Sequence, residues 1–161
     1  KYIEYYNNNF DEIFTKIKNC VDENYNAFVN NGYQRDIFNN MQKLTIVING
    51  VDTFKGRLNP ENQKEFKSVF EKVENLEFIT FIFFDNVDSV KKYELESWYK
   101  SSANNKYGVW VGNGINEQFS LKVTERTKDV REYLSDEFGF VVKKGKLELT
   151  KFILEFNIEE E

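Results

Sequence analysis

The chain has 161 residues, 40% of them hydrophobic and 17% aromatic, with 16 Phe and 9 Tyr. That excludes a disordered tail and is about one domain's worth, at ~100–200 residues per domain. Against 27 Asp and Glu stand 22 Lys and Arg, a net charge of −5, and there is no His; the first argues against a nucleic-acid partner, the second removes Ser-His-Asp and Cys-His catalysis.

One cysteine, Cys20, can form neither an internal disulfide nor a Cys-rich zinc site and reads as a packed thiol of the reducing cytosol. No apolar run approaches the ~18–20 residues of a membrane span, and Lys1 opens no signal-peptide pattern. The segment therefore reads as soluble, with no direct membrane insertion. A start without Met fits a piece of a longer protein.

In chain order, Phe10, Ile13, Phe14, Ile17, Val21 and Phe28 follow the stripe of one helix face, and Asn30-Asn31-Gly32 suits its end. Residues 33–42 read as a connector or short helical turn. Leu44–Ile48 is a β-branched run without alternation, as in a central parallel strand covered on both faces. Asn59 and Pro60 are suited to the N-cap and first position of a helix with Phe66, Val69, Phe70 and Val73 buried.

Phe78–Phe84 repeats the continuous apolar pattern, which completes a βαβ unit with an expected right-handed crossover. A helical piece over Val87–Tyr99 and the polar loop Ser101–Lys106 lead to a third strand, Tyr107–Val111, and the turn Gly112-Asn113-Gly114. Phe119–Val123 suits a short edge strand and Thr127–Leu134 a helix. Phe138–Lys143 and Lys146–Phe152 flank Lys144-Gly145, which predicts an antiparallel hairpin at the sheet edge. The acidic end Glu159–Glu161 is expected to fray.

Were all three apolar strands parallel neighbours, Asn49, Gly50 and Asp52, then Asp85, Asn86 and Asp88, then Gly112, Asn113 and Gly114 would converge on the carboxyl edge where open α/β sheets take ligands. The plainer reading gives them turns and caps. No G-x-x-x-x-G-K-[ST] loop occurs, and the turn after the third strand lacks the third glycine of G-x-G-x-x-G. Asp85 with Asp88, or Glu94 with Glu96, are the remaining carboxylate pairs for acid–base work or a divalent ion, against a solvated face. Trp98 and Tyr99, beside a polar loop, are candidates for partner contact, whereas Trp110 in mid-strand reads as core.

The segments Ile46–Phe54, Phe81–Asp88, Gly108–Ile115 and Phe138–Lys146 together resemble the C-terminal ATPase-like domain of the EssC family, the membrane-anchored FtsK/SpoIIIE-type proteins of Firmicute type VII secretion. The likeness runs from about Leu44 to Ile153. It implies an α/β chain that is a partial or degenerate RecA-like P-loop NTPase fold: a mainly parallel sheet with helices on both faces and a C-terminal antiparallel hairpin. Residues 1–161 form a single domain on this reading, with 1–42 an N-terminal helical segment and 43–158 the core and hairpin.

By the same likeness Leu44–Ile48 stands where the Walker B strand belongs and Phe78–Phe84 where the sensor strand belongs. Asn49 replaces the acid expected after the first, and an amide cannot take over a carboxylate's charge or act as a base. The nucleotide loop would lie ahead of Lys1.

The implied role is a non-catalytic module acting in substrate recognition or regulation, with secretion substrates or other domains of the motor as partners. It would sit on the cytoplasmic face of a protein anchored by membrane helices. Asn49, Asp52, Asp85, Gly112, Asn113 and Gly114 would mark a degenerate nucleotide edge. No cofactor is expected in this segment, and ATP with magnesium belongs to the full-length protein. Two other readings stand beside it: an ATPase domain that binds nucleotide only with its upstream half, using Asp52 or Asp85 near magnesium, and a stand-alone α/β toxin or immunity protein.

Overall fold

The computed structural model describes residues 8–103, 105–124, 133–135 and 137–152. The chain divides into two compact units, Lys1–Ala103 and Asn104–Glu161. The boundary falls within the polar stretch Ser101–Lys106, inside what the sequence suggests is one domain.

In the first unit, helix α1 spans Phe10–Asn30 and buries Phe14, Ile17, Val21 and Phe28, the expected stripe. The Asn9 side chain accepts from the Glu12 N–H at 3.4 Å, with Asp11 and Glu12 in the first turn, where the macrodipole favours acids. The connector contains a single 3₁₀ turn, Arg35–Phe38.

Strands β1 (Leu44–Asn49) and β2 (Ile79–Phe84) pair in parallel, Leu44 opposite Ile79 and Asn49 opposite Phe84. Between them lie the short helix α2 (Val51–Gly56) and α3 (Pro60–Lys72). Asn59 caps α3 by accepting from the Asn62 N–H at 2.9 Å, with Pro60 first in the helix. Asp11 accepts from the Asn59 N–H at 2.9 Å and from the Asn62 amide at 2.6 Å, which ties the start of α1 to that of α3.

After β2 the chain forms two helices, α4 (Val87–Tyr93) and α5 (Ser97–Ser102), where one piece over Val87–Tyr99 was expected. The Glu96 N–H donates back to the Tyr93 carbonyl at 2.8 Å, turning the chain between them. A column of rings holds this unit together: Phe14 on Phe66 at 5.9 Å between centroids, Phe66 on Phe70 at 4.4 Å, Phe70 against Phe81 at 4.8 Å. Each fully buried Phe is worth roughly 1.5–3 kcal/mol of transfer free energy.

The sheet departs from expectation. Among the described residues β1 and β2 pair only with each other, so neither is central. Ile46, Ile48, Ile79, Phe81 and Phe83 turn inward onto the helices, while Val47 (57% exposed), Ile82 (41%) and Phe84 (59%) face solvent. The expectation of a mainly parallel sheet covered on both faces is thereby corrected. Alternation along each strand is real, but apolar residues stand at the outward positions too.

The second unit carries β3 (Tyr107–Val111), β4 (Phe138–Lys143) and β5 (Lys146–Lys151) in an antiparallel sheet of order β3-β4-β5. β3 is therefore not a parallel neighbour of β1 and β2. The β4–β5 hairpin turns at Lys144 and Gly145, both left-handed with φ of 54° and 84°, as a two-residue turn with the strands' own twist requires. Phe140, Val142 and Ile115 form the core, with Trp110, Leu121, Leu134 and Leu147 packed on it.

Phe119–Val123 is not a strand. Gln118 holds it as a loop, its amide donating to the carbonyls of Ile115 and Leu121, both at 2.9 Å, and accepting from the Leu121 N–H at 2.6 Å. The helix expected over Thr127–Leu134 lies largely outside the described residues, as do Glu159–Glu161. Among the described residues no helix is long and apolar enough to cross a membrane.

Candidate functional site

Parallel pairing brings the ends of β1 and β2 side by side, and with them the starts of α2 and α4. Asn49 closes β1 opposite Phe84, and the next residue, Gly50, donates its N–H to the Phe84 carbonyl at 2.8 Å. Asp85, directly after β2, reaches across to the other strand's helix. One carboxylate oxygen accepts from the Val51 N–H at 2.8 Å, the first of α2, and the other accepts from the Asn86 N–H at 3.0 Å. Asn86 in turn caps α4 through the Ser89 N–H at 2.9 Å.

Asp52 lies one residue into α2 and accepts from both the Lys92 ammonium and the Tyr93 hydroxyl at the end of α4. Hydrogen bonding from Lys92, then Tyr93, holds the Asp52 carboxyl below its ordinary range, and the same pair raises the Lys92 ammonium. Burial, then the Asp52 contact, raises the Tyr93 phenol, so it stays protonated and serves as a donor. Lys55 lies 5.3 Å from the centroid of the Tyr93 ring and 5.7 Å from that of Phe66, a cation–π geometry.

Sequence reasoning names Asn49, Asp52 and Asp85, and the structure brings these three to one edge. It does not name Lys92 or Tyr93. The available signal is topological: helices that follow two paired parallel strands start at the same sheet edge, so opposite charges on them can meet. Chemically, both acids are engaged. Asp85 staples the β1–α2 turn to β2, and Asp52 locks α2 to α4.

Gly112, Asn113 and Gly114 end β3 and belong to the second unit's antiparallel sheet, so they do not extend the β1–β2 ladder. Asn113 works as a clip: its side-chain amide donates to the Leu134 carbonyl at 2.8 Å and accepts from the Leu134 N–H at 2.7 Å, as a paired strand would. Its own carbonyl accepts from the Trp110 indole at 2.8 Å.

Trp98 and Tyr99, the candidates for partner contact, are in the core. Trp98 is 0% exposed and meets Phe66, Phe70, Tyr93 and Tyr99 edge-on at 5.1–5.8 Å. Its indole donates to Glu96 at 2.8 Å. Tyr99 stacks on Phe83 at 5.6 Å, and burial pushes its phenol up to about 12. As placed, neither ring is available to a partner. Trp110 is half-buried and packs on the second core, as its mid-strand position suggests.

Among the described residues no group of three or more Cys, Asp or Glu side chains is placed to hold a metal ion. Comparison with protein-family models, curated proteins and solved structures gives no match for this chain.

Proposed function

We propose that this chain is a non-catalytic, contact-making module of a type VII secretion motor, derived from the FtsK/SpoIIIE-type ATPase domain that its sequence resembles. On this reading β1-α2-α3-β2 is what remains of a RecA-like core, β1 occupying the Walker B place and β2 the sensor place. The whole motor protein is membrane-anchored and carries its ATP and magnesium in other domains; this module faces the cytoplasm and binds secretion substrates or neighbouring domains.

The observation that carries the proposal is the chemical commitment of the strand-end rim. An amide, Asn49, ends β1, Asp85 is a helix cap, and Asp52 is paired with Lys92 and Tyr93. Magnesium-assisted phosphoryl transfer needs carboxylates free to meet the metal and to position the attacking water. Here the acids hold helices in place.

The test is export by the cell that makes the protein. Deleting residues 8–152 from the motor is expected to abolish secretion of type VII substrates. The Asp52→Asn/Asp85→Asn protein, which keeps hydrogen-bond acceptors at both positions, is expected to secrete at the unaltered level. Undiminished export after the deletion would refute the role in secretion. Loss of export in the double variant, with normal protein levels, would instead support a nucleotide site that uses these acids.

A further inference from the structure

The outer edge of β3 carries a pattern of its own. Lys106 accepts from the Lys144 N–H at 2.7 Å, and Gly112 donates to the Phe138 carbonyl at 2.8 Å. In an antiparallel ladder the bonded residues alternate, so Lys106, Gly108, Trp110 and Gly112 direct their backbone groups at β4. Tyr107, Val109 and Val111 direct theirs away from it.

Among the described residues no strand pairs with that side. The same three residues are 48%, 56% and 54% exposed, so outward backbone groups and an uncovered apolar stripe coincide on five residues of edge strand. Natural edges of this kind are normally blunted by charge, proline or a bulge; within β3 none of these is present.

Charge is asymmetric along this edge. Lys143 is the cross-strand partner of Tyr107. Lys144 is bonded to Lys106 through the backbone, and Lys122 donates its N–H to Asn105 at 2.7 Å. Lys143, Lys144 and Lys122 thus stand at the Tyr107 end, in a protein of net charge −5. The described carboxylate nearest to Lys143 is Glu148, at 3.8 Å with both side chains about 70% exposed, a geometry that gains little energy.

We infer that the β3 edge is a docking site for an extended acidic peptide segment of a partner, added as a further antiparallel strand. Its main chain would bond to Tyr107, Val109 and Val111, its alternate apolar side chains would cover Val109 and Val111, and carboxylates near its C-terminal end would lie among the lysines. Strand addition of this kind takes affinity from the main chain and specificity from alternate side chains. The inference rests on the sheet's geometry and charge and stands apart from the secretion reading.

The probe is the peptide acetyl-Val-Thr-Val-Thr-Val-Glu-Glu-amide, titrated into the ¹⁵N-labelled chain. Saturable shifts are expected at the amides of Tyr107, Val109 and Val111, weakening with added salt and with Gln in place of Glu. Val109→Pro removes one outward donor and no bond to β4, as prolines on edge strands do, and is expected to weaken binding about tenfold. A peptide N-methylated at its central valine gives the same readout on the unaltered protein, independent of whether the proline variant folds.

Equal affinity for the methylated and unmethylated peptides would overturn the inference, as would absence of shifts at millimolar peptide. A dimer that Val109→Pro dissociates, without peptide binding, would overturn it in favour of pairing between two copies.

Discussion

Trp98 shows how a residue's neighbours in sequence can mislead. A polar loop follows it, which suggests exposure, yet Phe66 and Phe70 of α3 enclose it fully and leave Glu96 as partner to its indole. Trp98→Ala is expected to cost about 3–5 kcal/mol, read as a fall in the urea midpoint. Asp85 is a cap on a helix that it precedes by neither sequence nor strand. Asp85→Ala is expected to cost about 1 kcal/mol and Asp85→Asn, which keeps an acceptor for the Val51 N–H, distinctly less. Because Lys92 and Tyr93 depress the folded Asp52 carboxyl, its stabilising contribution is complete above the unfolded value of ~3.9. It is lost as the pH falls from there through the lower folded value. Acid titration of stability should therefore be shallower below about pH 4 in Asp52→Asn than in the unaltered chain.

At the scale of elements, α1, α3, both parallel strands and the hairpin are legible in the sequence because each carries its own local signal. Asn59-Pro60 fixes the start of α3, and Lys144-Gly145 fixes the hairpin turn. Partnership between strands carries no such signal: Leu44–Ile48 and Tyr107–Val111 are both short and β-branched, yet one lies in a parallel ladder and the other in an antiparallel one. α2 is missed because six residues are too few to show a helical stripe. The candidate site is half legible for the same reason: its acids are strand-end residues, whereas their partners Lys92 and Tyr93 are set by pairing. In the hairpin sheet, a Cβ at Gly139 would stand 2.0 Å from the Trp110 carbonyl oxygen, a backbone atom. At Gly145 it would stand 2.7 Å from the Thr124 hydroxyl, a side-chain atom, with the nearest backbone atom at 3.2 Å. Gly139→Ala should therefore be the more destabilising of the two in thermal melts of the folded chain, since β3 and β4 must separate to admit it, while Gly145→Ala should cost about 1–2 kcal/mol for its left-handed backbone.

For the whole molecule, the engagement of Asp52 and Asp85 carries one claim. The rim where a parallel sheet would bind nucleotide is, in this chain, a set of clasps between helices and strands. The parallel ladder and its two following helices are needed for those clasps, and apolar positions on β1, β2 and β3 are exposed. The most direct test is titration of the chain with ATP and Mg²⁺ while the amides of Gly50, Val51, Asp85 and Asn86 are followed, together with phosphate release. The account predicts no saturable, magnesium-dependent shift at those amides and no phosphate above background; a saturable shift there, or turnover abolished by Asp85→Ala, would contradict it.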